Sequence, residues 1–519
     1  MDNIFELREN GDGTCILWKV IDKSIANATI PNNVTKIGDC SFLNCSNLTS
    51  VTISKSVTSV DALAFCGCSN IDSIVVEKGN TTYHSENNCL IETATKTLVF
   101  GCKTSVIPKD GSVTSIGKWA FYGCKNLLNI DIPDSVNSVG SSAFSGCSGL
   151  LSIVIPNGVT SIGEFMFNDC SSLTSITIPE SVESIDDKAF ISCKNLKIVN
   201  WNAKNCIEAG NAFCGIFEKC TNLTTVNIGN DVITIPDYAF NDCSSLKSVV
   251  IGNSVKIIGS AFSGCCSLES IVIPDSVTSI GRYAFSRCGC LKSIVIGKGV
   301  TSIANDAFNY CGGLESIEVK DGNPIYHSEG NCLIDNEKTL ISGCNTSVIP
   351  MDDSVTKINE FAFSDCNGLK SITIGDSIKS IGEFAFYNCN GLIDIKVSER
   401  NQVYKSDNGC LLSKDGKVLI RGTSRGYIPE SVTFIEDYAF SGCSSLTSIT
   451  INGAVTKIGE AAFENCTGLT SVVIGDGVKS IENGAFMGCK SLTNILIPKT
   501  CNIEEESFPE NCIIKRAEY

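Results

Sequence analysis

A phenylalanine, usually preceded by Ala and followed three positions later by Cys, recurs along the chain at positions 42, 65, 121, 144, 167, 190, 217, 240, 262, 285, 308, 363, 386, 440, 463, 486 and 508. Ten of the 16 intervals are 23 residues, two are 22 and one is 27, while three of 54 to 56 residues hold one period plus an insert. A period in the low twenties is too short for a domain and is the length of one solenoid coil, whose apolar face is buried only when neighbours stack. The 519 residues are therefore expected to form one repeat array rather than the three or four globular units that length alone suggests.

One unit, Leu173 to Cys193, shows how a coil is built. Leu173, Ile176 and Ile178 have the spacing of a leucine-rich strand, with Ile176 and Ile178 on one face and Ser175 and Thr177 on the other. Pro179 ends the strand by removing a ladder donor, and Val182 and Ile185 supply a second inward pair. Asp187 to Phe190 is long enough for about one helical turn, pinned to the core by Phe190. The expected fold is a β-dominated leucine-rich-repeat solenoid with a parallel strand face, short helical turns on the other side and three hairpin-bearing inserts. Residues 1–30 read as an N-terminal hairpin cap, 31–500 as a single solenoid with inserts near 77–110, 320–352 and 398–430, and 501–519 as a C-terminal cap.

The consensus LTSITIP-x-SVTSIG-xx-AF-x-GC, nearly intact at 446–466 and 469–489, resembles the BspA-like leucine-rich repeat family of bacterial and protist surfaces. The inserts, opening at Asn80-Thr-Thr-Tyr83-His84-Ser85, Asn323-Pro-Ile-Tyr326-His327-Ser328 and Asn401-Gln-Val-Tyr404-Lys405-Ser406, are similar to that family's long variant repeat. The resemblance implies a non-catalytic adhesin or surface antigen that binds a protein or glycoprotein, such as a host or matrix protein, and it brings no active site and no cofactor.

Location is read two ways. Met1 to Glu9 carries acids where a secretion leader needs a basic start and an apolar core, and no stretch approaches 18 apolar residues. Those features, with 30 cysteines, favour a cytoplasmic protein-interaction scaffold, whereas the resemblance points to the cell surface. The formal charge, 40 basic against 56 acidic residues for −16, argues against nucleic acid as a partner.

Sixteen of the 30 cysteines stand three residues after an anchor Phe, and a reduced, buried ladder accounts for them. Cys89 with Cys102 and Cys332 with Cys344 have the spacing of hairpin bridges, but the third insert pairs Cys410 with Thr423. No paired C-x-x-C arrangement or nearby His completes a metal site. The two histidines, His84 and His327, occupy equivalent turns in two inserts, and Lys405 takes that place in the third, so no His-based catalytic site is read.

Binding is assigned to outward positions of the strand face, where a concave parallel sheet is the usual working surface. Four residues after the repeat Leu the column runs Asn227, Val250, Val272, Val295 and Glu318, with Trp201 just beyond Asn200 on an earlier rung. Val250, Val272, Val295 and Trp201 form the candidate protein-binding strip. A second column, two before the anchor Phe, holds Trp119, Phe165, Tyr238, Tyr283, Phe361, Phe384 and Tyr438, which are expected to shield the seams between coils.

Overall fold

The computed structural model describes residues 4–211 and 215–517. The outermost residues of both expected caps, 1–3 and 518–519, lie outside that range. The chain divides into two compact units, Met1–Cys266 and Ser267–Tyr519. Among the described residues every regular element is a strand, and no helix is long and apolar enough to cross a membrane.

Within each unit a coil has three sides, and each side makes its own ladder with the next coil. In the second unit the first side is a parallel sheet of Ser448–Ile451, Ser471–Ile474, Asn494–Ile497 and Ile513–Arg516. The second side pairs the short strands Lys457–Ile458, Ser480–Ile481 and Asn502–Ile503, again in parallel. Alternation along the strands sends Ile449 and Ile451 inward while Ser448 and Thr450 face solvent.

The third side corrects the expectation of short helical turns. Its backbone runs as consecutive turns, because at most rungs the residues two before and two after the anchor Phe both take left-handed conformations. Tyr438 and Gly442 around Phe440 have φ of 56° and 75°, and Phe384 and Asn388 around Phe386 have φ of 56° in both cases. Two such residues four apart prevent a run of helical hydrogen bonds. They aim alternate N–H groups at the next coil instead: Tyr438, Phe440 and Gly442 donate to the carbonyls of Glu460, Ala462 and Glu464 at 2.9, 2.6 and 2.8 Å.

Two columns fill the core behind this ladder. Phe440, Phe463 and Phe486 stack with ring centroids 4.8 and 4.9 Å apart, and in the first unit Phe121, Phe144 and Phe167 stack at 5.2 and 5.6 Å. Beside them the column cysteines stand as thiols. Most donate S–H to the carbonyl of the anchor Phe one coil back, as in Cys466 to Phe440 at 3.2 Å, Cys489 to Phe463 at 3.1 Å and Cys147 to Phe121 at 3.1 Å, while after two of the inserts Cys124 and Cys366 donate to the carbonyls of Gly101 and Gly343. A thiol fits because it is small and apolar enough to bury, yet satisfies a carbonyl that the turn leaves pointing inward.

The inserts end one stretch of the front sheet and carry the second side onward. Each is a three-stranded antiparallel unit rather than a two-stranded hairpin, as in Tyr404–Asp407, Cys410–Ser413 and Val418–Arg421, whose last strand hands over in parallel to Phe434–Ile435. The Asn-x-x-Tyr-x-Ser opening supplies partners that a following parallel strand would otherwise give. Asn323 donates from Nδ2 to the carbonyls of Gly297 and Val300 and accepts at Oδ1 from the amides of Ile325 and Tyr326. The Tyr326 hydroxyl accepts from Ile303 N–H at 3.1 Å and the Ser328 hydroxyl from Val319 N–H at 2.9 Å. Asn323→Ala is expected to cost about 2 kcal/mol in urea unfolding, because four bonds go and water reaches the half-buried site only in part. A loss below about 0.5 kcal/mol would show that the opening turn holds itself.

At the N-terminus Phe5–Glu9 and Cys15–Val20 form an antiparallel hairpin in which the Arg8 guanidinium lies 3.3 Å from the centre of the Trp18 ring. Its second strand pairs in parallel with Val34–Ile37, joining it to the first coil.

Candidate functional site

On the front face of the second unit Val272, Val295 and Glu318 lie side by side in register, with Ile271, Ile294 and Ile317 buried behind them. Val272 is 55% exposed and Val295 half-buried, and in the first unit Val250 is 57% exposed beside Asn227. Trp201 does not share this face. Asn200 pairs with Thr177 and Asn227 on the outward column, so the next residue points inward, between Ile178 and Ile228. Trp201 is fully buried, edge-on to Phe240 at 5.3 Å. Alternation removes it from the surface strip.

The same outward column holds apolar residues beyond the rungs first sampled. Val154 is 71% exposed, and Val473 and Leu496, paired across adjacent strands, are 56% and 55% exposed. Their signal was available, since each stands four residues after a repeat Leu. Of the aromatic column, Trp119, Phe165, Tyr238, Phe361, Phe384 and Tyr438 are half-buried, and Tyr283 is exposed.

A second candidate lies at the third insert. In the inserts, Phe100, Ser342 and Arg421 occupy the same register position, opposite Leu90, Leu333 and Leu411. A glycine follows in each case, and a Cβ there would come within 2.1 Å of the next anchor ring, Phe121, Phe363 or Phe440. In the first insert Phe100 stacks on Phe65 at 4.6 Å and prolongs the aromatic column. In the third, the slot holds a guanidinium instead. Arg421 is 4% exposed and donates from its two terminal nitrogens to the carbonyls of Tyr438 and Ser441, both at 3.0 Å, while its Nε has no partner.

Arg421 lies at the edge of a cavity of about 450 Å³ also lined by Glu383, Phe384, Tyr387, Tyr404, Glu436, Asp437, Tyr438 and Glu460. Phe384, Tyr387 and Tyr438 meet edge to face with centroids 4.6 to 6.0 Å apart. Burial, with the neighbouring charges of Asp437 and Glu383, holds the Glu436 carboxyl above its ordinary range. Burial and then Glu464, whose carboxylate accepts from the Tyr387 hydroxyl at 3.3 Å, push that phenol up to about 12. Nothing in the local sequence marked this cavity. The one signal was a basic residue at an inward position of the insert, legible only when the three inserts are laid over one another.

Stacked parallel coils of one strand-turn unit, closed by a Phe and Cys column, define a leucine-rich-repeat scaffold. The chain belongs to the family of the BspA type leucine rich repeat region, whose model matches residues 21–109, 96–216, 214–329, 337–414 and 424–519. Among solved structures it is similar to a leucine-rich repeat protein from Eubacterium ventriosum, with 26% identity over 61% of this chain and 83% of that one and a TM-score of 0.40. It is also similar to a leucine-rich repeat protein from Bacteroides ovatus, with 21% identity over 100% and 99% and a TM-score of 0.36. A third is the pneumococcal vaccine antigen PcpA, with 16% identity over 84% and 99% and a TM-score of 0.37. No curated protein sequence matches the chain.

Proposed function

We propose that this chain is a non-catalytic scaffold that binds a protein or glycoprotein through its strand face, displayed at the cell surface as kinship with the BspA type repeats implies. The observation that carries the reading is the outward column, where Val272 beside Val295, and separately Val473 beside Leu496, set apolar side chains on a serine-rich surface. Apolar anchors in a polar surround are what a protein contact uses at its centre.

Val272→Glu is expected to shift unfolding by less than about 0.5 kcal/mol, because the side chain is exposed on the outward column. The same change is expected to weaken a cross-linked and identified partner at least about tenfold. Unchanged affinity would remove the strip. Labelling intact source cells with a membrane-impermeant reagent tests the location. Tagging of this chain while a cytosolic control stays untouched supports surface display, and protection until lysis supports an intracellular scaffold.

A further inference from the structure

The cavity at the third insert is not explained by a strand-face binding scaffold. Its walls are aromatic and its charge is one-sided, with Glu383, Glu436, Asp437 and Glu460 against Arg421 alone. Ring faces carry negative quadrupole charge, so Tyr387, Tyr438 and the side of Phe384 not stacked on Phe361 favour the same sign of guest as the carboxylates. Glu436 makes no ion pair among the described residues; Lys457, paired with Glu482, offsets its charge only in part, and a bound cation would supply a direct counter-charge. An anion would face four carboxylates at this wall, while two of the Arg421 N–H groups are engaged by the Tyr438 and Ser441 carbonyls.

Arg421 acts as a positioning residue. By holding those two carbonyls it fixes the left-handed turn that carries Tyr438. It takes the register position at which Phe100 contributes a ring in the first insert, so the aromatic column is interrupted there by a guanidinium.

We propose that this cavity binds an organic cation, a protonated amine or guanidinium of the size of a lysine or arginine side chain. The volume, about 450 Å³, lies within the ~300–1,000 Å³ of small-ligand pockets. Rings and carboxylates together select a desolvated organic cation over a metal ion, which would need oxygen ligands converging at one point.

The test uses the full chain and titrates it calorimetrically with N-acetyl-arginine amide, N-acetyl-lysine amide and, as the opposite charge, N-acetyl-glutamate amide. Saturable 1:1 binding of at least one basic probe and none of the acidic one is expected. Glu436→Gln and Phe384→Ala are each expected to weaken that binding about tenfold. Glu436→Gln is close to isosteric, so it decides the matter if Phe384→Ala unfolds. An acetylated Gly-Gly-Arg-Gly-Gly amide distinguishes the sources: tighter binding than the single residue marks a polypeptide guest, and equal binding marks a free small cation. Failure of both basic probes to saturate, or unchanged affinity in Glu436→Gln, overturns the proposal. Val272→Glu leaves this binding intact, so the strand-face reading stands or falls separately.

Discussion

Phe463→Ala is expected to destabilise the second unit by about 4 kcal/mol, near the middle of the range for emptying a buried aromatic site. Phe463 is fully buried between Phe440 and Phe486, in a column whose rings lie within 8° of parallel. Most cores soften such a loss by collapsing. Here the coils are held apart by three ladders at once, the two parallel sheets and the turn ladder in which Phe463 N–H donates to the Ala485 carbonyl at 2.7 Å. The cavity therefore stays open. Phe463→Leu, which refills most of the volume, is expected to cost about 1 kcal/mol. Because each coil contacts only its neighbours, the loss should be local: hydrogen exchange ought to accelerate over 440–490 and stay unchanged near the insert at 326–342. A cost for Phe463→Ala below about 1.5 kcal/mol would mean that the ladders yield and the coils close on the gap.

That column was plain in the sequence because one residue type at one period has few structural meanings. Its neighbour was half legible. The cysteines were expected as a buried ladder, yet the reason for Cys is the Phe carbonyl one coil back, which spacing alone does not place. The helical turns failed for a local cause. Four residues after a short strand fit one helical turn by length, but nothing in Tyr438 or Phe384 announces a left-handed backbone, which the inter-coil N–H bonds impose from outside. Trp201 was misplaced by a single step of strand alternation, which the register of Asn200 settles. The Asn-x-x-Tyr-x-Ser openings were seen as a motif, but their work is done on carbonyls and amides 9 to 26 residues earlier in the chain. Arg421 was passed over because its meaning is relative: a basic residue in a strand is ordinary until Phe100 is known to fill the same slot.

Raising the pH from 8 to 10.5 is expected to unfold the protein steeply, through the cysteine ladder and the buried insert thiol of Cys332. Burial pushes the thiols of Cys124, Cys311, Cys332 and Cys389 up to about 12, and it raises those of Cys147, Cys243 and Cys366 in the same direction. In the unfolded chain a cysteine titrates near ~8.5. Below that pH both states hold the proton and stability does not depend on these groups. Between ~8.5 and 12 the unfolded chain sheds protons that the native chain keeps, so stability falls as pH rises, by about 1.4 kcal/mol per pH unit for each thiol. Cys311, Cys332 and Cys389 alone give the second unit a slope of about 4 kcal/mol per pH unit, and Cys366, raised in the same direction, adds to it. Buried Tyr326 and Tyr404, also raised by burial, steepen it further above the ordinary phenol range. Against the ~5–15 kcal/mol of a typical domain, two pH units exhaust most of the margin. Urea titrations in reductant from pH 7 to 11 should show a flat midpoint to about pH 8.5 and a steep fall beyond it. Cys389→Ser, which keeps a donor for the Phe363 carbonyl and loses the titrating thiol, should lower the slope by about 1.4 kcal/mol per pH unit. A midpoint unchanged through pH 10 would show that the thiols titrate alike in both states, and that the ladder is open to water.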